Sequence, residues 1–143
     1  MQVHFQGVRE WDAALDALVV QKFQACRVGA DRAALLLASE TKNTLTKTTH
    51  KRGTRTPSRP GDPPSLVTGT LRRSVKTVAA KPISESAWMS QVGPTAVYAR
   101  VQELGGDTGT TTLPARPYLG PSLAKLVDNG ALWAAFRSGW ERF

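Results

Sequence analysis

Apolar residues between Arg9 and about Asn43 recur at helical spacing. Trp11, Leu15, Leu18, Val19, Phe23, Cys26, Ala30, Ala33 and Leu37 keep one stripe, with Asp12, Asp16, Gln21, Lys22 and Arg32 opposite. Early acids suit a helix's positive end and Lys42 its negative end. Gly29, about 1 kcal/mol worse than Ala inside a helix, predicts a bend or break midway. Ahead of the helix, Gln2 to Gln6 alternates polar and apolar residues and predicts a short strand ending at Gly7.

The pattern then lapses. From Thr41 to Ser65 the only large apolar residue is Leu45, and Pro57, Pro60, Pro63 and Pro64 forbid regular helix or central strand. Residues 42–65 therefore predict a long loop, mobile unless a partner holds it. Beyond it, Val75, Thr77 and Ala79 alternate with Lys76 and Val78, and Ala87 to Val92 forms a second alternating run. Ser84, Glu85 and Ser86 supply the turn of a β-hairpin, which Gly93-Pro94 stops. Ala96 to Leu104 predicts one or two helical turns ending at Gly105-Gly106, and Asp107 to Thr112 a polar loop. Pro114 to Pro121 reads as extended, followed by helix at Ser122–Asp128 and Ala131–Arg142, divided near Asn129-Gly130. The order predicts one α+β domain over residues 1–143: a long N-terminal amphipathic helix packed on a small antiparallel sheet, with C-terminal helices.

Charge changes the picture more than composition does. The 143 residues carry 41% hydrophobic and 21% charged side chains, ordinary for a globular domain. No apolar run approaches the roughly 20 residues of a membrane helix. One cysteine permits no internal disulfide, which suits a reducing cytoplasm. The net charge is +8, and all of it lies between Lys42 and Lys76, where nine bases face only Asp62. Within that segment Lys47, Lys51, Arg52, Arg55 and Arg59 are candidates to contact a partner's acidic face or nucleic acid; the alternative is a solvated loop.

Catalytic chemistry finds no foothold. Cys26 sits on the apolar stripe, and His50 lies beside Lys51 and Arg52 with no nearby carboxylate to orient it. The Gly105–Thr110 stretch lacks the Gly-Lys-Ser/Thr ending of a phosphate loop, and His4, His50 and Cys26 make no zinc set. The expectation is a non-enzyme without metal or cofactor. One more cluster stands out: residues 130–143 form an aromatic helical arm whose Trp133, Phe136, Trp140 and Phe143 suit either core packing or an interface.

The second half also carries an ordered set of short motifs. Thr68-Gly69-Thr70-Leu71-Arg72-Arg73-Ser74-Val75 precedes Val92-Gly93-Pro94, then Tyr98-Ala99-Arg100-Val101-Gln102-Glu103-Leu104-Gly105. Pro114-Ala115-Arg116-Pro117-Tyr118-Leu119 and Pro121-Ser122-Leu123 follow. This order resembles the small head–tail joining proteins, neck or tail-completion components, of long-tailed double-stranded DNA phages related to phage Hong Kong 97. The resemblance covers nearly the whole chain, including the opening strand, Gly7 and long helix.

It implies a non-enzymatic virion protein of the head–tail junction, assembled in the host cytoplasm. It also implies a homo-oligomeric ring of about six copies, or about twelve if the portal sets the symmetry. Its partners would be other neck, connector and tail-tube proteins, with possible contact to DNA in the lumen. Of the motif residues, Gly69 is expected to take positive φ in a tight turn, and the rings of Tyr98 and Tyr118 to be buried. Ala115-Arg116-Pro117-Tyr118 is expected to pair at a sheet edge. The basic loop is longer and more charged than the resemblance implies. The rival function is a nucleic-acid-binding protein using residues 42–76.

Overall fold

A computed structural model describes residues 7–53 and 58–141, so the expected strand at Gln2–Gln6, together with Arg55 and Phe143, lies outside the described residues. The fold is α+β. A long helix, α1 (Val8–Thr44), leads to one turn of helix, α2 (Thr70–Ser74), and a hairpin of β1 (Val75–Ser84) and β2 (Ala87–Pro94). Helix α3 (Ala99–Leu104), a two-residue pair of strands β3 (Gly106–Asp107) and β4 (Thr112–Leu113), and helices α4 (Leu119–Asp128) and α5 (Ala131–Trp140) complete it. Helix α1 packs against both hairpin strands, α4 and α5.

Gly29 does not break α1, which runs without interruption. Its role is close approach. A Cβ at Gly29 would lie 2.8 Å from the Phe136 ring and its carbonyl oxygen, and one at Gly139 would lie 2.6 Å from the Gly29 backbone. Two glycines thus let α1 and α5 touch backbone to backbone. Arg32 ties the crossing by donating from one guanidinium nitrogen to the Ser138 carbonyl and hydroxyl oxygens at 2.5 and 2.8 Å. The C-terminal segment is therefore packed on the body through α5 rather than held away from it.

The inner face of α1 differs from the stripe the sequence predicts. Ala25, Gly29, Ala34, Ala38, Thr41 and Thr44 are its buried residues, whereas Trp11, Leu15, Leu18 and Val19 are exposed. The reason is reach. All of Val8 to Gln21 is exposed, so roughly 20 Å of helix supplies no buried residue to the core.

The hairpin pairs Val75 with Pro94 through to Ser84 with Ala87, with a register break between Val78 and Lys81. There Asp31 of α1 accepts the Ala80 N–H at 2.6 Å, satisfying an amide that the irregular ladder frees. The buried core gathers Ala38, Leu45, Val75 and Tyr118, flanked by Leu71, Val92 and Leu119.

Three sequence expectations are corrected. The stretch 107–112 is a minute hairpin rather than a plain loop, and α4 begins at Leu119 so that Pro121 lies within its first turn, where a missing N–H costs nothing. Gly69 does take φ +73°, but it opens the extra helical turn α2. The described part of the basic loop makes backbone contacts with itself and with the segment before Arg116. Thr49 bridges Leu66 in parallel, with N–H groups of His50 and Leu66 donating across, and Gly61 N–H donates to the Ala115 carbonyl at 3.0 Å.

Candidate functional site

Motifs far apart in sequence converge on one cleft. Its walls come from the loop end at Ser58 and Pro64–Thr68, from Gly69–Arg72 at α2, and from Tyr98, Gln102 and Arg116. The cavity has a volume of about 320 Å³. Leu45, Leu66 and Leu71 give it apolar sides, and His50 and Arg72 add polar edges.

Arg116 is the residue that the sequence did not single out for its chemistry. Only 7% exposed, it donates from Nε to the Ser58 carbonyl at 3.1 Å. Its backbone N–H donates to the Gln102 carbonyl at 2.8 Å, so the Ala115–Tyr118 segment pairs with α3 and the loop rather than with the hairpin edge. No carboxylate pairs with its guanidinium among the described residues. A buried arginine without a counter-ion is costly unless something else satisfies it.

Glu103 locks the neighbouring wall. Its two carboxylate oxygens accept the backbone N–H groups of Tyr118, Leu119 and Gly120 at 2.8, 3.0 and 2.8 Å. These are the orphan amides at the start of α4, so a carboxylate from another element caps that helix and meets its positive end. Gly105, next in sequence to α3, takes φ +71°, and a Cβ there would meet the Ala115 nitrogen at 2.7 Å. Ser74 Oγ donates to the Leu71 carbonyl at 2.8 Å, closing α2, and the Ser74 carbonyl accepts the Thr95 N–H just past Gly93 and Pro94. Pro114 is exposed and Pro117 half-buried on either side of Arg116.

The two tyrosines part company. Tyr118 is fully buried, and its hydroxyl donates to the Ala99 carbonyl at 3.3 Å. Burial, then the Glu103 charge and Tyr98, push its pKa well above the ordinary tyrosine value. Tyr98 is 46% exposed, contrary to expectation, because it caps α3 at the rim of the cleft instead of pointing inward.

The basic segment is a surface feature. Lys47, Lys51, Arg52 and Arg59 are exposed on the loop, as are Arg72, Arg73 and Lys76 on α2 and β1. The Thr49–Leu66 bridge brings the two stretches of backbone together. In the C-terminal helix, Phe136 and Trp140 turn partly inward and Lys22 lies 5.2 Å from the Trp140 ring centre. Trp133 is 60% exposed, stacks on Phe136 at 5.4 Å and carries Arg137 over its face. With Ala33, Val127 and Leu132 these two rings border an apolar groove.

Among the described residues no group of three His, Cys, Asp or Glu side chains could hold a metal ion, and no helix is long and apolar enough to cross a membrane. Cys26 is half-buried on α1. Compared with protein-family models, curated proteins and solved structures, the chain matches none of them.

Proposed function

We propose that this protein is a structural component of a tailed-phage virion, joining head to tail as part of a neck or tail-completion ring. Its action is binding rather than catalysis. The observation that carries the reading is the convergence of the Thr-Gly-X-Leu, Tyr98–Gly105 and Arg116–Tyr118 motifs on one cleft, held by Glu103 and Gly105. Segments whose order resembles the joining proteins thus act as one unit of the fold rather than as scattered coincidences. The exposed apolar face of α1 supports it further, since Trp11, Leu15, Leu18 and Val19 form a patch that a neighbouring copy in a ring would cover.

A second reading rests on the exposed bases of the loop and α2, which suit nucleic-acid phosphates. Both are tested by deleting the gene from its phage and imaging the lysate. Unjoined heads and tails, restored to whole particles by adding the purified protein, are the expected result. Normal joined particles from the deletion would sink the proposal. Salt-dependent binding of the isolated protein to duplex DNA would then favour the second reading.

A further inference from the structure

We infer that the cleft around Arg116 is a receptor for a single carboxylate side chain, of glutamate type, presented by a partner polypeptide. The inference stands on the cleft itself and on no part of the head–tail reading.

The cleft's deepest charge is a guanidinium held at its Nε by the Ser58 carbonyl. That contact fixes the plane of the group and leaves its two terminal nitrogens without an acidic partner among the described residues. A fixed planar fork with two free donors matches the two oxygens of a carboxylate. Arg72 at the mouth is exposed and adds a second positive charge that guides an anion inward. Hydroxyl-bearing Thr68, Thr70 and Tyr98 offer further donors around the entry.

The occupant's class follows from shape and polarity. Leu45, Leu66 and Leu71 flank the cavity and suit the methylenes of an acidic side chain, whereas a doubly charged phosphate would lose its hydration against them. Duplex DNA fits less well still. Its phosphates ride on a broad convex backbone and cannot follow a concave cleft down to a buried arginine. A protein side chain can, and burial of the ion pair would settle the charge that the isolated fold leaves without a counter-ion.

The probe is the blocked tripeptide acetyl-Gly-Glu-Gly-amide, titrated into the isotopically labelled protein and followed by backbone amide NMR. Shifts confined to Thr68–Leu71, Gln102 and Arg116 are expected, with the Gln analogue binding about tenfold more weakly, since it loses the charge-assisted pairing. R116K should weaken the Glu peptide by about tenfold because an ammonium cannot form the bidentate contact. R72S, at an exposed site that leaves folding intact, should weaken it several-fold and serves if R116K does not fold. Inorganic phosphate and a short DNA duplex are the competing probes. Equal binding of the Glu and Gln peptides, tighter binding of phosphate or duplex at the same amides, or no shift up to about 10 mM peptide, weaker than ordinary side-chain recognition, would each overturn the inference. So would wild-type affinity in R72S together with R116K.

Discussion

Glu103 concentrates three backbone hydrogen bonds on one carboxylate, so E103A strips three orphan amides of their acceptor at once. The expected loss is roughly 2–4 kcal/mol, read from urea denaturation, with E103Q intermediate because one amide oxygen remains. Tyr118→Ala should cost roughly 3–5 kcal/mol, as large buried aromatic deletions do, whereas Tyr98→Ala should stay within about 1 kcal/mol. A comparable loss at both positions would contradict the exposure of Tyr98. Tyr118 also sets an alkaline limit. Its native pKa is raised, so above about pH 10 the unfolded chain sheds a proton that the native chain keeps. Its contribution is complete below about pH 10 and declines as pH rises toward the native value. The stability gap between wild type and Tyr118→Phe should therefore narrow as pH rises above about 10. A constant gap would mean that the hydroxyl is not protected. The placement of Tyr118 was legible from its proline-bounded motif; the rim position of Tyr98 was not, because one turn of helix leaves either orientation open.

At the scale of elements, the α1–α5 crossing makes an unusual forecast for glycine. Gly29→Ala and Gly139→Ala each improve helix propensity by about 1 kcal/mol, yet each Cβ meets atoms of the facing helix under 3 Å away. Both should destabilise by roughly 1–3 kcal/mol, and Gly139→Ala more, because it strikes backbone that cannot rotate aside. Thermal unfolding of the two variants checks the ranking. Sequence periodicity foresaw the length of α1, the hairpin with its Ser84–Ser86 turn, and the division of the last two helices at Gly130. It missed the face of α1 that is buried, since the largest residues lie on its exposed N-terminal half and the inner face is made of alanine, glycine and threonine. The cleft was half legible. Its motifs could be read, but that Gly69, Gln102 and Arg116 meet depends on chain reversals that no local pattern encodes.

For the whole molecule, the apolar patch on α1 is the surface most in need of cover. Trp11, at 65% exposure, and Val19 should tolerate W11E and V19E with the monomer's stability within about 0.5 kcal/mol of wild type. If the proposed ring closes through this face, sedimentation should show that the variants do not self-associate; self-association equal to wild type would rule this face out as the contact. On the proposed head–tail role, replacing Lys47, Lys51, Arg52, Arg55 and Arg59 with Ser should leave stability nearly unchanged and impair joining if the loop clasps an acidic protein face. Normal joining with an altered rate of DNA ejection would instead put those charges in the lumen. The contact between Arg32 and Ser138 spans 106 positions and has a further consequence in time. At about 5–20 residues per second on the ribosome, Ser138 is made roughly 5–20 s after Arg32. During that interval the nascent helix has its glycine seam open, because α5 has not yet been made. A polypeptide that terminates short of Ser138 therefore never closes the seam. Such a fragment is a ready client for chaperones and proteases.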